Sequence, residues 1–190
     1  MNFNAKRFIA ALGLVVVLGA PGVSTFLAQT GNKTPPPAQE LLAAAVKTAE
    51  AENKNVLVHF GASWCGWCKR LDAFLASPEV GKLIADNYVL LNLTVQESPD
   101  KKSLENPGAD KLMDEMSGGK SGGLPYYFFV DKKGAKLADS LALPGGGNIG
   151  HPANPEEIKA FVGLLERTAP GMTKEQRAKI AEYLTKTMPR

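Results

Sequence analysis

The sequence predicts an α/β domain: a central mixed β-sheet flanked by helices on both faces, with one extra helix at the C-terminal end. Three observations carry that reading. Strand-like and helix-like patterns alternate from Gln39 to Val130, the order expected when helices cross between strands of one sheet. Two short β-prone runs, Tyr126 to Val130 and Ala135 to Ala142, then flank the turn Asp131-Lys132-Lys133-Gly134, so the sheet ends in a hairpin. Helix-start signatures at Asn154 and Thr173 close the chain.

Each element follows from its own pattern. Gln39 to Glu52 carries Leu41, Leu42, Ala45, Val46 and Ala49 at helical spacing, and Asn53-Lys54-Asn55 breaks it. Val56 to Phe60 suits a buried strand, with Val56, Val58 and Phe60 facing one side and Leu57 and His59 the other. A helical pattern then runs through Leu71, Phe74 and Leu75. Ser77-Pro78-Glu79 predicts a fresh helix capped by Ser77, with Val80, Leu83 and Ile84 inward. Tyr88 to Val95 reads as a second core strand, and Glu97 to Asn106 as a charged surface loop. A helix opening at Asn106-Pro107 would bury Leu112, Met113 and Met116, and Gly118 to Gly123 is a flexible link into Leu124-Pro125. After the long Gly/Pro loop from Pro144, Asn154-Pro155-Glu156-Glu157 combines cap, first-turn proline and acid, with Ile158, Phe161, Val162 and Leu165 buried. Thr173-Lys174-Glu175-Gln176 is a second capping box, opening a helix through Ile180 and Leu184.

The composition is that of a folded globular chain, 44% hydrophobic and 22% charged. The formal charge of +3 includes Lys6 and Arg7 at the extreme N-terminus; all 19 acids lie beyond them, and the remainder carries +1. No basic run is interleaved with aromatics, which argues against nucleic acid as a partner. Lys6-Arg7, the apolar run Phe8 to Leu18 and the small residues from Gly19 to Ala28 read as an export signal over residues 1–28, with cleavage after Ser24 or Ala28. An uncleaved anchor is the rival, and the only basis for a membrane association. Residues 29–37 are a Pro-rich linker, 38–168 the main domain and 169–190 a C-terminal helical extension; a monomer is the default. The expected location is periplasmic or secreted.

The only two cysteines, Cys65 and Cys68, stand three positions apart. An exported chain with so few cysteines has a site there, not a set of structural staples. The pair follows a predicted strand and opens a predicted helix, so Cys65 lies at the positive helix end, which favours thiolate over thiol. Cys68, one turn on, is within reach to resolve a mixed disulfide, and the spacing leaves the first sulfur exposed. Zinc would need further ligands, and His59 and His151 are the only histidines. No metal or organic cofactor is expected.

The segment Trp64-Cys65-Gly66-Trp67-Cys68-Lys69, preceded by the strand Val56-Leu57-Val58-His59-Phe60, resembles the thioredoxin superfamily, and its exported members most closely. A second segment, Gly123-Leu124-Pro125-Tyr126, matches the family's cis-proline loop. The resemblance implies a thioredoxin-like fold over about Ala38 to Thr168. It also implies a thiol–disulfide oxidoreductase with catalytic Cys65 and Cys68, acting on protein thiols and disulfides and recycled by an upstream redox partner. The direction expected is that of a reductase or isomerase rather than an oxidase. By the same likeness, Pro125 is cis and the Leu124 backbone pairs with an extended substrate. Trp64, Gly66, Trp67, Leu124 and Pro125 form the substrate-binding surface, with Trp64 packed beside Cys65 and Trp67 exposed.

Three features depart from the pattern. Gly66-Trp67 replaces the Gly-Pro of thioredoxin itself, His59 stands where thioredoxin has a buried acid, and the linker and the helix from Thr173 lie outside the shared core. His59 is either a proton acceptor for Cys68 or a hydrogen-bonded core residue without chemistry. His151 is read as a loop residue with no chemical role. The alternative to the enzyme is a client-binding module of the same fold in which the disulfide is incidental.

Overall fold

A computed structural model describes residues 34–189; the predicted signal segment and most of the linker lie outside the described residues. The elements are α1 (Ala38–Glu52), β1 (Asn55–Gly61), α2 (Gly66–Leu75), α3 (Gly81–Ala85), β2 (Tyr88–Thr94), α4 (Ala109–Ser117), β3 (Tyr126–Val130), β4 (Lys136–Asp139), α5 (Pro155–Thr168) and α6 (Lys174–Lys186). Short 3₁₀ turns span Pro99–Leu104 and Pro144–Gly146. The sheet order is β2-β1-β3-β4. β1 and β2 run parallel, and β3 is antiparallel to both β1 and β4, which makes the sheet mixed as expected.

Strand alternation sorts the core. Val56, Val58 and Phe60 of β1 join Tyr126, Phe128 and Val130 of β3 under α1 and α4. Leu57, Tyr127 and Phe129 face the other way, against α2, α3, α5 and α6. β3 is buried at all five positions because it is an inner strand covered on both faces. α6 is part of this packing: Ile180 and Leu184 are fully buried in the cluster that contains Phe74 of α2, and the Tyr183 ring lies 6.0 Å from that of Phe74. No helix among the described residues is long and apolar enough to cross a membrane.

Several local expectations are corrected. Ser77 is not the helix cap: its Oγ accepts from the Val80 N–H at 3.3 Å in the preceding turn, while the helix is only Gly81–Ala85 and its N-cap is Val80, without a side-chain bond. Gly81 is required there, since a Cβ would sit 2.6 Å from the Leu75 carbonyl oxygen. The segment after β2 is not a plain surface loop, because it includes a 3₁₀ turn and the buried Glu97. α4 starts later than Asn106, whose side chain instead accepts from the Thr94 N–H at 2.8 Å. At α5, Asn154 caps the Glu157 N–H, yet the Glu157 carboxylate reaches back to the N–H of Ala153, one residue before the cap. The Thr173–Gln176 capping box is complete in both directions.

Candidate active site at the start of α2

β1 delivers the chain to the sheet's end at Gly61, and the turn Ala62–Trp64 swings it into α2. The Cys65 N–H donates to the Ala62 carbonyl at 3.0 Å, and the Cys65 carbonyl accepts from the Lys69 N–H at 3.2 Å, which makes Cys65 the N-cap of α2. Its Sγ accepts from the Cys68 N–H at 3.1 Å, and the two cysteines form a disulfide with Cα atoms 5.3 Å apart. That N–H and the helix end behind it are placed to stabilise negative charge on Cys65 once the bond is reduced. Gly61 makes room for the pair: a Cβ there would lie 3.3 Å from the Cys68 Cβ.

Neither sulfur residue is open. Cys65 is 4% exposed and Cys68 2%, contrary to the exposed first sulfur that the spacing predicted, because Ala62 and Leu124 pack against them. Trp64 also departs from expectation. It is 58% exposed and donates its indole N–H to the Gln96 carbonyl at 2.7 Å. Trp67 is exposed as expected, and Gly66 beside it has open space around its Cα.

The loop leaving β2 clasps the cysteine turn. Val95 N–H donates to the Gly61 carbonyl at 2.9 Å. The Glu97 carboxylate, 4% exposed, accepts from Ser63 twice, from the N–H at 2.5 Å and the hydroxyl at 2.7 Å. Sequence reasoning missed Glu97. Its only local signal is an acid placed three residues after the end of β2, which resembles any solvated loop charge.

On the opposite side lies the Leu124-Pro125 peptide, which is cis. It borders a groove of about 290 Å³ lined by Trp67, Gly123, Leu124, Pro125, Asn148 and His151 among others. His151 is the second residue missed. Instead of an idle loop side chain it is 7% exposed, stacked on Trp67 with ring centres 6.2 Å apart. Burial, and then the Arg70 guanidinium, lower its pKa from 6.5 to about 4.

His59 points toward α2, as the alternation required. It sits among Leu57, Leu71, Leu75, Tyr127 and Phe161, and its Nε2 lies 3.1 Å from the Asp72 carboxylate. Asp72, together with Cys68, Lys69 and Asn92, lines a separate cleft of about 330 Å³. The carboxylate therefore stands between the imidazole and the space next to Cys68. Among the described residues, no cluster of three or more His, Cys, Asp or Glu forms a metal-binding group.

A family model described as thioredoxin-like matches residues 38–132, half of the chain. The chain belongs to the thioredoxin-like family. Within that family it is similar to the disulfide bond reductase DsbH of Chlamydia pneumoniae, 29% identical over 110 residues. That match covers 57% of this chain and 64% of the relative, so the chain spans less than two thirds of the relative's length. Among solved structures it is similar to a disulphide isomerase from Xylella fastidiosa Temecula1, with TM-score 0.46, 18% identity, and 78% of this chain and 89% of the other covered. It is also similar to the oxidised C-terminal domain of DsbD from Neisseria meningitidis, with TM-score 0.43, 22% identity, and 70% and 98% covered.

Proposed function

We propose that the protein is a thiol–disulfide oxidoreductase acting on protein disulfides, as a reductase or isomerase, outside the cytosol. The observation that carries this reading is Cys65 itself: an N-cap thiol that accepts a backbone N–H and sits one helical turn from its disulfide partner. In the reduced protein, the Cys65 thiolate attacks one sulfur of a substrate disulfide. A Cys65–substrate bond forms, and the second substrate sulfur leaves as a thiolate that takes up a proton. Cys68 then gives up its proton and attacks Cys65 Sγ, releasing the first substrate sulfur. The protein's dithiol is oxidised to the disulfide, and the substrate disulfide is reduced to two thiols. A thiol donor upstream must restore the dithiol.

Leu124 supports a polypeptide substrate. Neither its N–H nor its carbonyl has a hydrogen-bond partner among the described residues, leaving both for strand-like pairing with an extended chain. Trp64, Gly66 and Trp67 flank that line. The reductive direction is supported by the name of the relative, a disulfide bond reductase. Export is supported by Lys6-Arg7 and the apolar run after it.

His59 and Asp72 act together as acceptor for the Cys68 proton in this reading, with the carboxylate facing the cleft and the imidazole behind it. His59→Ala should slow resolution of a trapped mixed disulfide and change its pH profile. An unchanged rate between about pH 5 and 8 removes His59 from the mechanism.

The reduction potential of the pair, equilibrated against dithiothreitol or glutathione buffers, tests the whole reading. A potential near thioredoxin's, about −270 mV, is the expected result. A potential near about −120 mV makes the protein an oxidant instead, and failure to exchange at all leaves only client binding.

A further inference from the structure

We propose that His151 reads the backbone of the substrate, donating a hydrogen bond from Nε2 to a carbonyl of the polypeptide docked along Leu124-Pro125. The proposal rests on the oxidoreductase reading and adds a residue that neither the cysteine motif nor the cis-proline loop contains.

The histidine is held in place by two aromatic rings and by its loop. Its ring stacks on Trp67 at 27° and meets Phe74 edge-on, 6.3 Å between centres. Asn148 straps its loop to the proline loop: the side-chain amide donates to the carbonyls of Gly123 at 3.2 Å and Pro125 at 3.1 Å, on either side of Leu124. The Asn148 carbonyl oxygen in turn accepts from the Gly150 N–H at 3.1 Å. The imidazole and the free Leu124 backbone are thereby fixed on two sides of one groove.

The protonation of the ring follows from its burial. Nδ1 is buried without a partner. A buried N–H left unpaired is rarer in proteins than a buried acceptor left unpaired, so the proton belongs on Nε2. The pKa of about 4 keeps the ring neutral at ordinary pH, with Arg70 as the nearby cation and Glu157 the carboxylate at the groove wall. A neutral Nε2–H in a groove of mixed polar and apolar lining suits a peptide carbonyl. A disulfide without a carbonyl has nothing to offer it.

The test compares two substrates on the full chain: insulin, a polypeptide disulfide, and bis(2-hydroxyethyl) disulfide, which has no carbonyl. His151→Phe keeps a stacking ring and removes the donor, and His151→Gln keeps a donor. The expected result is that the kcat/KM ratio of insulin to bis(2-hydroxyethyl) disulfide falls about fivefold in His151→Phe, the size of one neutral hydrogen bond, mainly through KM. His151→Gln should recover most of that ratio. An equal loss on both substrates, or no loss on either, overturns the proposal, whereas a wild-type protein that exchanges with neither substrate overturns the oxidoreductase reading as well. In case His151→Phe does not fold, the wild-type histidine is read directly. Cys68→Ser is trapped as a mixed disulfide with a cysteine-containing peptide, and the ¹⁵N-labelled imidazole is observed by NMR. A shift of the Nε2 resonance on trapping is expected, and an unmoved resonance overturns the proposal.

Discussion

On the β2 side of Cys65–Cys68 the cysteine turn is held by polar bonds, Ser63 to Glu97, Trp64 to Gln96 and Val95 to Gly61. On the Leu124-Pro125 side, contact with the pair is through the apolar Leu124 side chain, and the Leu124 peptide groups are left without partners. Hydrogen bonds to a buried carboxylate fix geometry, because breaking them strands charged and polar groups away from water. An apolar wall with free backbone groups can exchange one occupant for another at little cost. The difference fits the proposed division of work, in which one side positions the sulfurs and the other receives what they react with.

The largest expected effect comes from removing the sulfur between the two sides. Cys65→Ser should bring insulin reduction to background while leaving both walls intact. Cys68→Ser should retain the first attack and accumulate a mixed disulfide, visible as a mass increase equal to the bound partner. Retained turnover in Cys65→Ser breaks the oxidoreductase reading and leaves a binding surface.

Next in size is the clasp. Glu97→Ala leaves the part-buried Ser63 N–H and hydroxyl without their charged acceptor, at a cost of about 1–2 kcal/mol in stability. Urea unfolding measures this through the midpoint. A loss within error would mean that the carboxylate is dispensable and that the clasp is no firmer than the groove.

How visible the two sides are in the sequence also differs. The cysteine pair, the β1 alternation that aims His59 at α2, and the caps at Asn154 and Thr173 were legible because each depends on residues within a turn or two of one another. Glu97 acts on a residue 34 positions away, and His151 is buried by Trp67 and Phe74 from another element, so neither leaves a local pattern. Trp64 was misplaced for the same reason: its indole is drawn outward by the Gln96 carbonyl, which is presented by a left-handed residue at φ 53°. The short α3 reflects the Gly81–Leu75 approach, a tertiary constraint that a helix-start motif does not encode.

The groove side should reveal itself through pH. Below pH 6.5 the unfolded chain protonates His151, whereas the folded protein resists until about pH 4. The unfolded state therefore binds more protons in that window, and stability present above pH 6.5 is lost as the pH falls toward 4. Allowing for water at the groove mouth, the loss is on the order of 2 kcal/mol. His151→Phe removes this component, so its stability should decline less steeply than wild type over the same range. Parallel declines would mean that the ring is not held neutral by its surroundings.

The smallest effect sharpens the comparison from within the clasp. Trp64→Phe removes the indole donor to Gln96 but leaves Glu97 and Ser63 joined. Because Trp64 is largely exposed, water can satisfy the freed carbonyl, and the stability change should stay near about 0.5 kcal/mol. The contrast with Glu97→Ala follows from burial, charge and bond number: one change removes a neutral donor at the surface, the other a buried carboxylate that accepts two bonds. A Trp64→Phe loss as large as that of Glu97→Ala would mean that the indole is a principal tie of the cysteine turn.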